Sequence, residues 1–399
     1  MNAIVDNFEA RLERFAATLP ETRRHLHRYP ELSGAEFATT AYLSERLAQA
    51  EVPHRVGQGN RGVIAEPATA ARSSGTPLIA LRADIDALPI EEANPVEYRS
   101  RHPGVMHACG HDAHTSILLG LTLSLHRAQG LPVTWRAIFQ PSEEVGQGAL
   151  EMIRQGALTG VEAVVALHVD PNRPVGTVGV TPGPRTAWCQ DFAIEVTGRG
   201  GHGARPHNTV DPIAASAHLI TLIYQALPRQ NDARNPVVVT IGAIQGGHAS
   251  NVIPDRVSLK GTVRSIDQPT AERAHDCLQR LCASAAQAFQ ASVAPAFEPL
   301  LPGLVNEPAV AKICAGAARE LLGEAAVATD DRVSMGAEDF AEYTRLVPGC
   351  MISLGVNTPG RPITPLHTPT FDIDERALLI GARLLARVLL RWPSASLSH

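Results

Sequence analysis

Lysine is almost absent: Lys260 and Lys312 are the only two in the chain, and arginine carries nearly all the positive charge, a compositional bias rather than a function. A strong charge imbalance is missing too. Lys+Arg 35 against Asp+Glu 40 leaves a net charge of −5 with no basic stripe, which excludes nucleic acid and anionic membrane as default partners. No apolar run approaches the roughly 20 residues needed to span a bilayer. The N-terminal segment MNAIVDNFEARLERF lacks both a basic n-region and an apolar h-region, so a cytoplasmic protein is expected. The six cysteines, at 109, 189, 277, 282, 314 and 350, show no repeating spacing, which argues against a disulfide scaffold. Internal repeats are absent, and low complexity is confined to an Ala/Ser/Gly stretch near 68–75. What remains is an ordinary globular composition, 44% hydrophobic and 19% charged. At 399 residues the chain exceeds a single core, so two packed units are expected.

The first fifty residues read as two amphipathic helices, Asn2 to Leu19, stopped by Pro20, and Ala38 to Ala50. Short apolar runs of buried-strand type then alternate with helical stretches. The strands are Pro77 to Arg82, Val133 to Phe139 and Val161 to His168; the helices are Ser116 to Arg127 and Gly148 to Gly156. Such alternation predicts an α/β unit with a mixed, largely parallel sheet. Near Gly183 the pattern changes to β-α-β-β-α-β, which predicts a small inserted α+β domain with one helical layer on an antiparallel sheet. Beyond about Pro302 the α/β pattern resumes, with a strand at Met351 to Val356 and a closing helix at Asp374 to Leu390. The expected organisation is residues 1–186 and 300–399 as one domain, with 187–299 inserted.

Chemistry concentrates in a few stretches. Met106-His-Ala-Cys-Gly-His-Asp-Ala-His-Thr115 holds three imidazoles and a thiol. Cys109 and His111, with Gly110 between them, can turn both donors toward one point in a loop, and thiolate with imidazole suits Zn²⁺ and related cations. An inert buried thiol is the competing reading for Cys109 alone; His107 and His114 read as core or helix-end histidines. Phe139-Gln-Pro-Ser-Glu-Glu-Val-Gly146 puts Glu143 and Glu144 after a strand, where α/β folds place ligands. One carboxylate can hold a metal while its neighbour stays free as a base, although a solvated acidic turn fits the same residues. His168 ends another apolar strand, as a ligand or a rim residue. Asp84 and Asp86 share one side at strand spacing, as ligands, orienters of an imidazole or loop caps. His367 sits in a turn near the C-terminus.

With these segments, nearly the whole chain resembles the aminoacylase/carboxypeptidase family of dinuclear metallohydrolases, in its subgroup of hippurate hydrolases, N-acyl-amino-acid amidohydrolases and auxin-conjugate hydrolases. The matching segments include LRADIDALPI from Leu81, MHACGHDAH from Met106, FQPSEE from Phe139, GRGGHGARPH from Gly198, NVIP from Asn251, GTVR from Gly261, GAEDF from Gly336 and LHTPTFDIDE from Leu366. The resemblance implies a metal-dependent hydrolase domain with an inserted lid and dimerisation domain, and hence a homodimer or higher homo-oligomer. It implies two divalent cations, Zn²⁺ or Mn²⁺ with Co²⁺ or Ni²⁺ as alternatives, bridged by Cys109. His111 and His168 would complete one site, Glu144 and His367 the other. Glu143 would be the general base and then acid, Asp86 a residue behind the ligands, and His202 the donor to the substrate carbonyl. Asn251 and Arg264 would hold the substrate's polar groups, with Arg264 suited to a carboxylate. The expected substrate is a small N-acyl-L-amino acid, with a dipeptide or N-acetyl-diaminopimelate as the alternative. A cysteine hydrolase, sensitive to alkylation and indifferent to chelators, and a non-catalytic metal-containing binding protein are the remaining readings.

Overall fold

The computed structural model describes residues 2–68, 75–329 and 333–393, so most of the Ala/Ser/Gly stretch near 68–75 lies outside the described residues. The chain divides into two compact units. One comprises Met1–Gly183, Val305–Asp331 and Glu338–His399; the other comprises Pro184–Leu304 and Arg332–Ala337. The second unit is thus wider than the expected 187–299 and takes in a separate short stretch far along the chain.

The first unit is built on an eight-stranded sheet. In spatial order its strands are His54–Val56, Val63–Ala65, Thr134–Gln140, Leu78–Asp84, Ala163–Pro174, Gly349–Asn357, Val178–Gly179 and Val327–Ala328. The four central strands run parallel, Val63–Ala65 and Val178–Gly179 join them antiparallel on either side, and Val327–Ala328 pairs parallel with Val178–Gly179 at the edge. Every residue of Leu78–Asp84 is buried, as a parallel strand covered on both faces requires. This is the mixed, largely parallel α/β sheet the sequence predicts. Strand register decides which side chains gather: Asp84 pairs with Gln140, Arg82 with Ala166 and Ser353 with His168. Asp84, Gln140 and His168 therefore come to the same end of the sheet, where the strands leave their carboxyl termini.

Three helices, rather than two, occupy the first fifty residues: Asn2–Phe15, Thr18–Arg28 and Phe37–Gln49. Pro20 does not stop a helix. It lies in the first turn of the second one, where its missing N–H breaks no intrahelical bond. The helix expected over Ser116 to Arg127 begins earlier, at His111, and is buried along its whole length to Leu125. It packs against Thr18–Arg28 and Arg376–Arg391.

The second unit holds four strands in the order Val237–Gly246, Arg256–Ser265, Trp188–Thr197 and Ser292–Phe297, with every pairing antiparallel. The helices Pro212–Arg229 and Gln268–Phe289 pack against each other and bury Leu219, Ile223 and Leu278 against Ile194, Val196 and Leu259 of the sheet. Asp211 and Asp267 cap them, accepting from Ile213 and Ala214 and from Thr270, and a proline near the start of each is preorganised for the first turn. Among the described residues no helix is long and apolar enough to cross a membrane.

Candidate metal centre

The site lies within the first unit, at the carboxyl end of its central strands. Gly110 makes it possible: its φ of +83° is left-handed, and a Cβ there would fall 2.5 Å from Val169 Cγ2. Left-handed Gly110 joins the turn at Cys109 to the buried helix that starts at His111, so thiol and imidazole leave the backbone on either side of one glycine. His367 arrives from the far end of the chain with φ +59°, an uncommon conformation for a residue with a side chain, and its N–H donates to the Ala108 carbonyl at 2.8 Å.

Two triads of donor atoms share the Cys109 sulfur. Cys109, His111 and His168 form one, Cys109, Glu144 and His367 the other, and within each the donor atoms lie within 4.8 Å of one another. Cys109 Sγ is 3.6 Å from His168 Nε2 and 3.3 Å from His367 Nε2. Glu144 Oε1 stands 3.8 Å from His111 Nε2 and 3.6 Å from His367 Nε2. Glu143 Oε2 lies beside them, 3.9 Å from His111 Nε2. His111 Nε2 and Glu144 Oε1 are both buried without a hydrogen-bond partner. Unpartnered buried polar atoms are costly, and here they face each other in a set of soft sulfur, imidazole and carboxylate donors. The residues fit divalent cations.

The carboxylates behind the donors orient them. Asp86 accepts from Ser33 at 2.6 Å and from the Glu144 amide at 3.0 Å, and lies 3.2 Å from His111 Nδ1; the Asp86 carbonyl is 2.9 Å from the same nitrogen. Asp84, expected on the same side as Asp86, ends its strand and lies 3.7 Å from His111 Nε2, so the two acids flank opposite nitrogens of one ring. His168 is held through Nδ1, 2.8 Å from the Val169 carbonyl, which turns Nε2 toward Cys109. His114 is a satisfied core histidine, as the sequence suggests. Its Nε2 accepts from the Val169 amide at 2.9 Å, leaving the ring proton on Nδ1, 2.6 Å from Asp84.

Electrostatics reflects the crowding. Burial, with Glu338 and Asp339 nearby, lifts the Glu143 carboxyl well above the usual range, and burial raises Glu144 as well. Burial also pushes the Cys109 thiol up and brings His168 down to about 3, the latter with help from His114. His111 is raised: burial opposes its charge, but Asp84, Cys109 and Asp86 outweigh it.

Arg82, Gln140, Glu338 and Asp339 escaped the sequence reading as site residues. Arg82 is buried and donates to Gln140 Oε1 (2.8 Å), Asp84 Oδ2 (2.7 Å), Glu338 Oε1 (3.1 Å) and Asp339 Oδ1 (2.9 Å). An arginine directly after the apolar run Leu78–Leu81, and the adjacent acids of GAEDF, are the signals that could have marked them.

The remaining expected residues belong to the second unit. His202 ends the short strand Gly201–His202 and pairs with Val252, and the Gly203 amide donates to the Asn251 carbonyl at 2.8 Å, so His202 and Asn251 are neighbours. Arg264 lies near the end of Arg256–Ser265 and donates from Nη1 to the Met335 carbonyl at 2.8 Å.

Fold and site together define a hydrolase of the metal-dependent type. The chain belongs to peptidase family M20/M25/M40, whose profile matches residues 80–391, and it is a metal-dependent amidohydrolase. It is 39% identical to the N-acetyl-L-cysteine deacetylase of Bacillus subtilis, covering 91% of this chain and 85% of that protein. It is 33% identical to the IAA-amino acid hydrolase ILR1-like 4 of Arabidopsis thaliana, over 93% of this chain and 84% of that one. Among solved structures it is similar to the YXEP protein of Bacillus subtilis, described as a dinuclear metal binding peptidase of the M20 family. That match has a TM-score of 0.80, with 34% identity, 95% of this chain and 98% of that chain covered.

Proposed function

We propose that the protein hydrolyses the amide bond of small N-acyl-L-amino acids, releasing a carboxylate and the free amino acid. The observation that carries this reading is the pair of donor triads joined at Cys109 with Glu143 beside them. The two donor triads that share Cys109, one with His111 and His168 and the other with Glu144 and His367, would hold two divalent cations, for which Zn²⁺ or Mn²⁺ fits best and Co²⁺ and Ni²⁺ suit the same donors. When bound, the cations supply Lewis acidity that acidifies water and polarises the amide carbonyl.

The chain's own residues do the rest. Glu143 takes a proton from the attacking water and delivers it to the departing amine nitrogen. His202 donates to the oxygen that gains charge, and Asn251 and Arg264 bind the substrate's polar groups, Arg264 taking the carboxylate as a two-pronged donor. Asp86 fixes the His111 ring. With cations held, the lone pairs of the Cys109 thiolate would be engaged, so Cys109 would serve as a donor rather than attack the amide. The family resemblance supports a homodimer or larger assembly through the second unit, acting in the cytoplasm on a small-molecule substrate. The names of relatives point to N-acetyl and indole-acyl conjugates. The similarity to thermostable carboxypeptidase 1 of Saccharolobus solfataricus, 36% identical over 93% of both chains, keeps a dipeptide as the second reading.

Release of free amine from a panel of N-acetyl, N-benzoyl and dipeptide substrates, with and without a chelator, tests the proposal. Chelator-sensitive turnover of N-acyl substrates is expected. Turnover that survives chelation but is lost on alkylation would overturn it in favour of a cysteine nucleophile.

A further inference from the structure

The GAEDF segment supplies a carboxylate that touches none of the donors yet holds the loop that carries two of the groups at the centre. We infer that Asp339 is a positioning residue for Glu143 and Glu144, clasping both ends of their loop through one carboxylate. Resting on the proposed roles of those glutamates, the inference names what sets their place.

Gln140, the last residue of its strand, donates its amide to Asp339 Oδ1 and Oδ2, at 2.8 Å each. Ala149, in the first turn of the helix Gly148–Arg154, donates its backbone N–H to Oδ2 at 2.9 Å, and Arg82 donates to Oδ1 at 2.9 Å. Residues 141–148 run between those two anchor points and carry Glu143 and Glu144. Their neck is closed as well. The amides of Gln147 and Gly148 both donate to the Ser142 carbonyl, at 3.3 and 3.1 Å, and a Cβ on Gly148 would fall 1.6 Å from the Pro141 oxygen. On the far side Glu36 accepts from the Ser142 amide at 2.8 Å.

Asp339 is fully buried, and four donor contacts engage its two oxygens. Although Glu143, Glu338 and Asp339 place oxygens within 4.8 Å of one another, a carboxylate so engaged has no lone pairs left for a third cation. An amide in its place would turn an NH₂ toward the donors of Gln140 or Ala149, which is why the position calls for an acceptor on both sides.

The test uses the full chain loaded with metal. Asp339→Asn should lower kcat about 10- to 100-fold, the scale expected of a misplacement of roughly 1 Å at the reacting groups, with KM moved less than about threefold. Amide hydrogen exchange of a peptide covering 140–149 should quicken while exchange elsewhere stays as in the wild type. If Asp339→Asn fails to fold, Gln140→Met, which removes one arm and leaves Asp339 in place, should give the same signature more weakly. Unchanged kcat and exchange, or exchange raised across the whole unit, would each overturn the inference. If the wild type hydrolyses nothing on the panel, the functional reading fails, while exchange at 140–149 still decides whether the clasp exists.

Discussion

His111 meets Asp86 with one ring nitrogen and the donor cluster with the other. Nδ1 lies 2.9 Å from the Asp86 carbonyl and 3.2 Å from its carboxylate, which leaves Nε2 to face Cys109 and Glu144. Because Asp86 also accepts from the Glu144 amide at 3.0 Å, one acid orients donors of both triads. Asp86→Ala should therefore weaken metal affinity about 10- to 100-fold, the usual cost of losing an orienting partner behind a ligand. Competition against a chromogenic chelator reads this directly, and unchanged affinity would remove Asp86 from that role.

Glu143→Gln keeps the side chain's size and hydrogen-bonding reach while removing its capacity to carry a proton. Turnover should drop about 10²- to 10⁴-fold with metal content unchanged by elemental analysis. Full activity in this variant would show that some other group moves the proton.

Gly148→Ala tests the neck of the 141–148 loop. The added methyl meets the Pro141 carbonyl, a backbone atom that cannot swing aside, so a destabilisation of about 1–3 kcal/mol is expected together with loss of turnover. Gly242→Ala is the comparison, because a Cβ there meets nothing within 4 Å. Its stability change should stay within about 0.5 kcal/mol in denaturant titrations, and equal effects from the two would refute the neck as a constraint.

His27 gives a pH dependence with a definite sign. Both of its ring nitrogens face buried carboxylates, Asp112 at 2.8 Å and Glu92 at 3.1 Å, and these contacts raise its pKa against the opposing effect of burial. A raised value means that the folded protein holds the proton more tightly than the unfolded chain. The stabilisation is fully present below the unfolded pKa near 6.5 and is lost as pH rises through the folded value. The stability gap between wild type and His27→Gln should therefore narrow between acidic and alkaline pH. A gap that stays constant across urea titrations would mean that His27 contributes by packing alone.

Much of the donor set could be read from the sequence because each donor adjoins a feature visible locally. Cys109 and His111 flank one glycine, and Glu143 and Glu144 follow the end of an apolar strand; His168, expected at a strand end, lies instead within Ala163–Pro174, which runs on past the apolar stretch. Likewise the alternation of strand and helix announced the parallel sheet, since strands buried on both faces need unbroken apolar runs. Pro20 misled because proline stops a helix in its interior but is tolerated in a first turn, and only packing reveals where that turn begins. The clasp was beyond reach for a different reason. Gln140 and Asp339 are 199 positions apart, and no spacing rule connects a strand end to an acid in a distant loop.

The stretch Arg332–Ala337 makes the second unit discontinuous. It supplies the Ser334 bridge to Thr186, the Gly336 carbonyl that receives the Ala187 amide and the Met335 carbonyl that receives Arg264. Residues 184–304 excised alone would lose all three, so a fragment or chimera cut at the obvious pair of junctions would exchange an incomplete module. Swapping this unit between relatives means moving two pieces of chain together, and the shorter piece ends directly before Glu338 and Asp339.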